Sequence, residues 1–346
     1  MIASARSLLG SPAVRNRRFT AAAIAIAIAL ALAASIVLVG RQAIAQPMST
    51  STEQAYDRGE IPNVRAEGMG GALNALGVST ASLSLNPANM PLARVYHIEA
   101  MAAFLPEANR QTYGLAIVDS VLNSRLAGGV EGTWSEMDPN AMHRTWTDLR
   151  AALAMPLGEH VALGAVGRWQ RVEQSVNSGP FGPSPVFGGT ANGPIFNSVT
   201  LDAGATASLE DWRVGVVGHN LTNPGTALAP TTGAAGIGYG THEFAIETDG
   251  LLDFTTFGRL TGRVMLGGEI FLANHYAVRG GYRYDTGTKL NTPTIGFGYV
   301  DPRWSIEVAA RHDIVAEHAS TFMMLSLRYF YDSAGGTTPA ESPDAF

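Results

Sequence analysis

Charged residues recur at even spacing near the end of the chain. Arg263 and Glu269, Arg279 and Arg283, and Glu307 and Arg311 form three pairs four or six residues apart. In extended chain, even spacing puts both members of a pair on one face. Opposite charges on neighbouring strands would then form a ladder. In a confined interior an unpaired charge is costly, so such a ladder would fill and stiffen that interior. Read functionally, its arginines would select an acidic head group, because a guanidinium suits a carboxylate. Other chemistry is thinly represented. The histidines (His97, His143, His160, His219, His242, His275, His312, His318) are scattered, and no Gly-x-Ser-x-Gly elbow accompanies them. His97 and Glu99 share a face, as do His242 and Phe244, but neither pair has a third metal ligand. With no Cys, thiolate chemistry and disulfide scaffolds are excluded. The residues predict no enzyme, no metal and no cofactor.

Strands must position these charges. In Arg263–Leu272, positions Val264, Leu266, Gly268, Ile270 and Leu272 alternate with Arg263, Met265, Gly267, Glu269 and Phe271. The same period of two runs through Tyr276–Asp285, Trp304–Arg311 and Phe322–Tyr331. Ala273-Asn274, Asp285-Thr286-Gly287 and Asp301-Pro302 punctuate these runs as short turns, which implies antiparallel hairpins. About fourteen such segments fit between Arg94 and Tyr331, many near the ~9–11 residues that cross a bilayer.

The chain has 346 residues, of which 46% are hydrophobic and only 15% charged. Its net charge of −6 gives no support for a nucleic-acid partner. A soluble sandwich would hide apolar faces between two sheets. An outer-membrane barrel turns apolar faces to lipid and small or polar ones to the lumen. Several features favour the barrel. The polar faces are rich in Gly, Ala and Ser. Aromatic residues (Trp134, Trp146, Trp169, Trp212, Tyr284, Tyr299, Trp304, Tyr329, Tyr331) sit near strand ends, as interfacial girdles require. One connection, Gln174–Asn197, is long and others are tight. Its Phe181, Phe187 and Phe196 are more apolar than an idle loop needs, which suits a lid over the pore.

The N-terminus carries an export pattern. Residues 1–45 hold five Arg and no acid, while the remainder holds 18 Lys/Arg against 29 Asp/Glu. Arg15, Arg17 and Arg18 precede an apolar run from Ala21 to Gly40, and Ala43 and Ala45 form a small-x-small site. This predicts a signal peptide over 1–45, cleaved after Ala45. An N-terminal periplasmic or plug segment follows over 46–93, a barrel over 94–331 and a flexible tail over 332–346.

The plug segment contains Gly68-Met69-Gly70-Gly71-Ala72 and then Asn86-Pro87-Ala88. It lacks Gly-Lys-Ser/Thr, so it is no phosphate loop. Its small residues suit tight packing, and Asn86-Pro87 would start a turn or a short helix. With Gly215-Val216-Val217-Gly218-His219-Asn220-Leu221-Thr222, Leu266-Gly267-Gly268-Glu269 and Val278-Arg279-Gly280-Gly281-Tyr282-Arg283-Tyr284, it resembles the FadL/PorV-like outer-membrane barrels. That family includes long-chain fatty-acid transporters and the PorV-type proteins of type IX secretion. The resemblance covers roughly residues 62–331. It implies a Gram-negative outer-membrane barrel of fourteen strands whose lumen is plugged by the N-terminal segment, with Gly68, Gly70, Gly71, Asn86 and Pro87 as the plug motif. In the transporter branch a hydrophobic ligand enters from outside and leaves through a kink in the wall. In the PorV branch the barrel holds secreted cargo or secretion machinery. The sequence departs from the family at its end, where fifteen residues follow Tyr331.

Two functions follow as expectations. One is passive transport of small hydrophobic or amphipathic molecules, with outer-membrane lipid around the wall. Gly128-Gly129 would then supply the kink, or else form a turn between two strands. The other is a non-transporting scaffold that contacts secretion machinery or a surface protein. A continuous apolar path past the plug distinguishes them.

Overall fold

A computed structural model describes residues 63–123, 125–137, 142–176, 194–273, 275–314 and 320–331. The expected signal peptide, the cut after Ala45, Phe181, Phe187 and the C-terminal tail lie outside the described residues.

Fourteen strands close into one antiparallel barrel in which each strand pairs with its sequence neighbours and the first pairs with the last. They are β1 (Tyr96–Leu105), β2 (Arg110–Asp119), β3 (Ala127–Met137), β4 (Met142–Pro156), β5 (Val161–Val176), β6 (Pro194–Leu209), β7 (Trp212–His219), β8 (Thr232–Gly240), β9 (Phe244–Asp253), β10 (Thr261–Leu272), β11 (Tyr276–Asp285), β12 (Leu290–Asp301), β13 (Trp304–His312) and β14 (Thr321–Phe330). Closure leaves no strand edge, which a lipid environment requires because it offers no hydrogen bonds to backbone groups.

The alternation sets which face meets lipid. On β10, Val264, Leu266, Ile270 and Leu272 are exposed, while Met265 and Glu269 are buried inside. β14 repeats this, with Met323, Leu325 and Leu327 outside and Met324, Ser326 and Arg328 inside. Short turns such as 210–211 and 302–303 occupy one end, and the connections of eight residues or more (177–193, 220–231, 313–320) fall at the other. In outer-membrane barrels the short turns face the periplasm and the long loops face outward. Aromatic residues cluster along part of the short-turn end: Trp212 contacts Tyr239, Tyr299 contacts Tyr276 and Trp304, and Tyr96 contacts Tyr331. Tyr113 stacked on Trp134 lies toward the opposite end.

Two sequence expectations need correction. Trp146 does not join a girdle. It shares the inward parity of Arg144, Asp148 and Arg150 on β4, whereas Leu149 and Leu153 face out. Gly128-Gly129 form no turn between strands: they lie within β3, in register with Asp119 and Val118 of β2 and with Leu153 and Ala152 of β4. No register shift interrupts β3 there. The one bulge among the described strands falls between Val172 and Glu173, where β5 meets β6.

Inside the barrel sits the segment from Asn63 to Leu92. It holds α1 (Val64–Gly68), α2 (Ala81–Ser84) and a 3-10 turn (Pro87–Leu92). Asn63 caps α1 by accepting the Ala66 N–H on its side chain at 3.1 Å. Gly70 and Gly71, at φ of 68° and 88°, end it in a left-handed turn that Gly adopts without strain. Pro87 opens the 3-10 turn, where its missing N–H costs nothing.

Candidate plug and lumen cavity

The plug fits because the wall lacks side chains where it passes. A Cβ on Gly164 would stand 2.5 Å from the Pro87 carbonyl carbon, and one on Gly215 would stand 2.2 Å from the Asn74 carbonyl oxygen. Gly267 and Gly281 similarly admit the Met69 backbone, and Gly129 admits Leu83. Asn86 ties three strands of chain together. Its Nδ2 donates to the Asn74 carbonyl at 2.9 Å and to Thr206 Oγ1 at 3.0 Å, while its Oδ1 accepts the Ala88 N–H at 3.2 Å. Gly68 packs against Gly296, and Thr294 Oγ1 donates to the Gly68 carbonyl at 3.0 Å. The plug's backbone donors meet wall carboxylates: Asn74 N–H reaches Asp249 at 3.0 Å, and Ala75 and Leu76 N–H reach Glu247 at 2.6 and 2.9 Å.

Most of the sequence-predicted lumen charges belong to this anchorage. Arg65 of α1 grips Glu269 with two hydrogen bonds, at 2.7 and 3.2 Å. Glu269 also accepts from Arg279, whose Nη1 reaches Glu307 at 2.5 Å. Glu307 lies 3.4 Å from Arg328, which lies 3.2 Å from Glu99, and Glu99 accepts from Thr80. The chain of charges therefore begins and ends on the plug. Arg279 and Glu307 are not on adjacent strands. They meet across β12, where Gly296 and Gly298 stand opposite them in register and leave the space open. Arg311 holds Glu67 at 2.9 Å and lies over the Phe322 ring. Arg283 is buried on the lumen face of β11, between Met265 and Thr292 in register. Arg263 stands apart, paired with Asp285 at 2.9 Å and partly open to the lumen. Phe196 lies on the inward parity of β6, opposite Val172.

Between the plug and the loops at the long-loop end lies a cavity of about 200 Å³. Its wall is divided. Met101, Phe322 and Met324, from the adjacent β1 and β14, make an apolar side, and Met265 of β10 adds an apolar residue beside Arg263 and Asp285. Trp146, Asp148, Arg168 and Gln170, from β4 and β5, make a polar one. Sequence reasoning missed this polar side, although the parity of β4 and β5 would have revealed it. Arg168 Nε donates to Asp148 at 2.8 Å, and Arg168 Nη1 reaches Asn220 at 3.3 Å. Asn220, at φ 52°, also accepts from Thr200, takes Asp202 on its N–H at 2.7 Å and donates to the Pro230 carbonyl at 2.8 Å. It thereby folds the loop after β7 inward, so that Leu228 and Pro230 roof the cavity. A second cavity, of about 350 Å³, opens at the short-turn end between Arg65, Leu76, His242 and Phe271. Gly71 and Asn74 line the first cavity and Leu76 the second, so one short stretch of plug separates them. Among the described residues, no group of three His, Asp or Glu side chains is arranged to hold a metal.

No protein-family model and no curated protein matches the chain. Solved structures do. The barrel is similar to the CymD monoaromatic hydrocarbon channel at 15% identity, over 79% of this chain and 98% of that one, with a TM-score of 0.58. It is similar to a Pseudomonas aeruginosa FadL homologue at 13% identity, over 79% and 99%, with a TM-score of 0.58. It is also similar to the Ralstonia pickettii toluene transporter TbuX at 12% identity, over 77% and 97%, with a TM-score of 0.55. At these identities the likeness establishes the fold, which is that of FadL-type channels. A closed barrel with an apolar outer belt and aromatic residues toward its ends is typical of outer-membrane proteins and supports placement in the outer membrane.

Proposed function

We propose that the protein is an outer-membrane channel for the passive entry of small hydrophobic or amphipathic molecules. One observation carries this reading: a cavity with an apolar side lies between the outer loops and the plug. Its volume of about 200 Å³ exceeds the ~150 Å³ that suffices to hold benzene in an engineered protein cavity. Proteins sharing the fold include a monoaromatic hydrocarbon channel and a toluene transporter, which act on molecules of that size. Phe181, Phe187 and Phe196, on and beside the long loop, would lid the entrance. The plug motif of Gly68, Gly70, Gly71, Asn86 and Pro87 would hold the exit. Residues 1–45 would direct export and be removed.

A non-transporting scaffold of the PorV type is favoured by a different observation. The described strands form a closed barrel wall, and the plug stretch from Gly71 to Leu76 lies between the two cavities. Uptake separates the two readings. Cells expressing the barrel should take up radiolabelled toluene faster than cells without it. Ala103→Trp, which fills the apolar side of the cavity, should remove the gain. Equal uptake with and without the barrel would favour the scaffold.

A further inference from the structure

Two acids of β9 lie side by side against the plug. Glu247 and Asp249 share the inward face of the strand, and each is 1% exposed. Their oxygens crowd one spot: a Cβ on Gly236 would overlap Asp249 Oδ1 and stand 2.9 Å from Glu247 Oε1. Three of the four carboxylate oxygens accept from the plug. Glu247 Oε1 takes the Ala75 N–H at 2.6 Å and Oε2 the Leu76 N–H at 2.9 Å. Asp249 Oδ2 takes the Asn74 N–H at 3.0 Å and the Asn74 side-chain amide at 2.8 Å. The fourth oxygen, Asp249 Oδ1, is buried and accepts nothing from the described residues. The two acid side chains are in hydrogen-bond contact with each other. Ionised carboxylates only accept, so such a contact needs a proton between them. No cation stands opposite either acid: Gly236 and Met265 flank Asp249 in register, and Gly238 and Gly267 flank Glu247. The charges of the surrounding elements are placed otherwise. On β10, Arg263 is bonded to Asp285, and Glu269 to Arg65 and Arg279. Arg213 of β7 and Arg283 of β11 lie one strand further out, in register with Gly238 and Met265. Asp253, at the far end of β9, accepts the N–H groups of Thr255 and Thr256. The plug stretch from Leu73 to Leu76 carries no charge.

We propose that Glu247 and Asp249 hold one proton between them and form a latch on the plug that acid releases. Two adjacent buried carboxylates cannot both ionise, because like charges repel strongly where water is excluded. A proton between Asp249 Oδ1 and Glu247 Oε1 satisfies the orphaned oxygen and leaves the pair a single negative charge. That charge strengthens the bonds from the plug, since hydrogen bonds to an ionised acceptor are roughly twice as strong as neutral ones. A second proton removes the charge. It must also sit on an oxygen that already faces an N–H, which makes that oxygen a poor acceptor. The fold binds the charged form of the pair, so the hold on the plug is present at neutral pH and is lost as pH falls. Acid therefore frees the stretch that lies between the two cavities. This inference rests on the channel reading, in which that stretch is the gate.

The test follows backbone hydrogen exchange in the detergent-purified, full-length barrel and single-channel conductance in planar bilayers. Both are read at about pH 7 and at about pH 4, the second within the ordinary carboxylate range. After correction for the intrinsic pH dependence of exchange, the amides of Asn74, Ala75 and Leu76 should lose about tenfold in protection at the lower pH. Conductance should rise with that loss. Asp249→Ala should lose the protection already at neutral pH. Asp249→Asn, whose amide supplies an N–H in place of the shared proton, should regain most of it. Glu247→Gln combined with Asp249→Asn should behave at neutral pH as the unmodified barrel does in acid, and respond no further. Equal protection at both pH values in the unmodified barrel would overturn the latch, and this arm needs no variant. A full acid response that persists in the double variant, in protein that still shows heat-modifiable mobility, would also overturn it. A fall in protection with no change in conductance would uphold the latch and overturn the plug as the gate.

Discussion

Glu269 takes hydrogen bonds from Arg65 of the plug and Arg279 of the wall in a place that water barely reaches. Removing its charge leaves two guanidiniums sharing the remaining acids of the chain. Breaking a buried pair from one side costs about 3–5 kcal/mol, mainly through the charge left behind. Glu269→Gln should therefore lower markedly the temperature at which the compact, heat-modifiable form is lost on a gel. Arg263→Gln breaks a pair that is still reached by water, and should cost about 1 kcal/mol or less. Equal shifts for the two variants would mean that burial does not set the strength of these pairs. The same contrast bears on the acidic-head-group reading of the lumen arginines. Arg279 directs its guanidinium to wall carboxylates, and Arg65 of the plug, which sequence reasoning left out of the charge set, completes the chain.

At the scale of elements, the plug is held by shape as much as by charge. Gly215 of β7 faces the Asn74 carbonyl, a backbone atom that cannot swing aside as a side chain can. Gly215→Val should push the stretch from Gly71 to Leu76 off the wall and loosen its bonds to Glu247 and Asp249. That stretch separates the two cavities, so single-channel recordings in planar bilayers should show a higher conductance than the unmodified barrel. Gly167→Val, where an added Cβ meets nothing within 4 Å, supplies the control and should leave conductance unchanged. Conductance that is unaltered by Gly215→Val would show that the plug does not seal the lumen.

At the scale of the whole molecule, the outer belt places the bilayer. Leu266 lies mid-strand on β10 and Leu272 at its short-turn end, both facing out. An Arg on the lipid face costs about 2–4 kcal/mol at the midplane and about 0–1 near an interface. Leu266→Arg should thus reduce stability to urea in lipid vesicles far more than Leu272→Arg. A reversed order would place the membrane elsewhere on the barrel, and equal losses would argue against a bilayer around it.

The sequence by itself determined the strands, their antiparallel order and their two faces. Period-two alternation is local, and a one-residue slip would turn every apolar side chain of a strand to the wrong side. Val264, Leu266, Ile270 and Leu272 could be read as lipid-facing for that reason, and the glycines and Asn86-Pro87 could be read as a segment built for tight packing. Only the tertiary structure decided which groups meet across the lumen. Arg65 and Glu269 lie 204 positions apart, and Asn86 and Thr206 lie 120 apart, so no local pattern records either contact. It also decided that Trp146 faces a cavity rather than lipid. An aromatic near a strand end suits both places, and only its register with the buried Asp148 and Arg150 selects between them. A cavity is a property of surfaces brought together from distant strands, and it exists in the chain only once the barrel has closed.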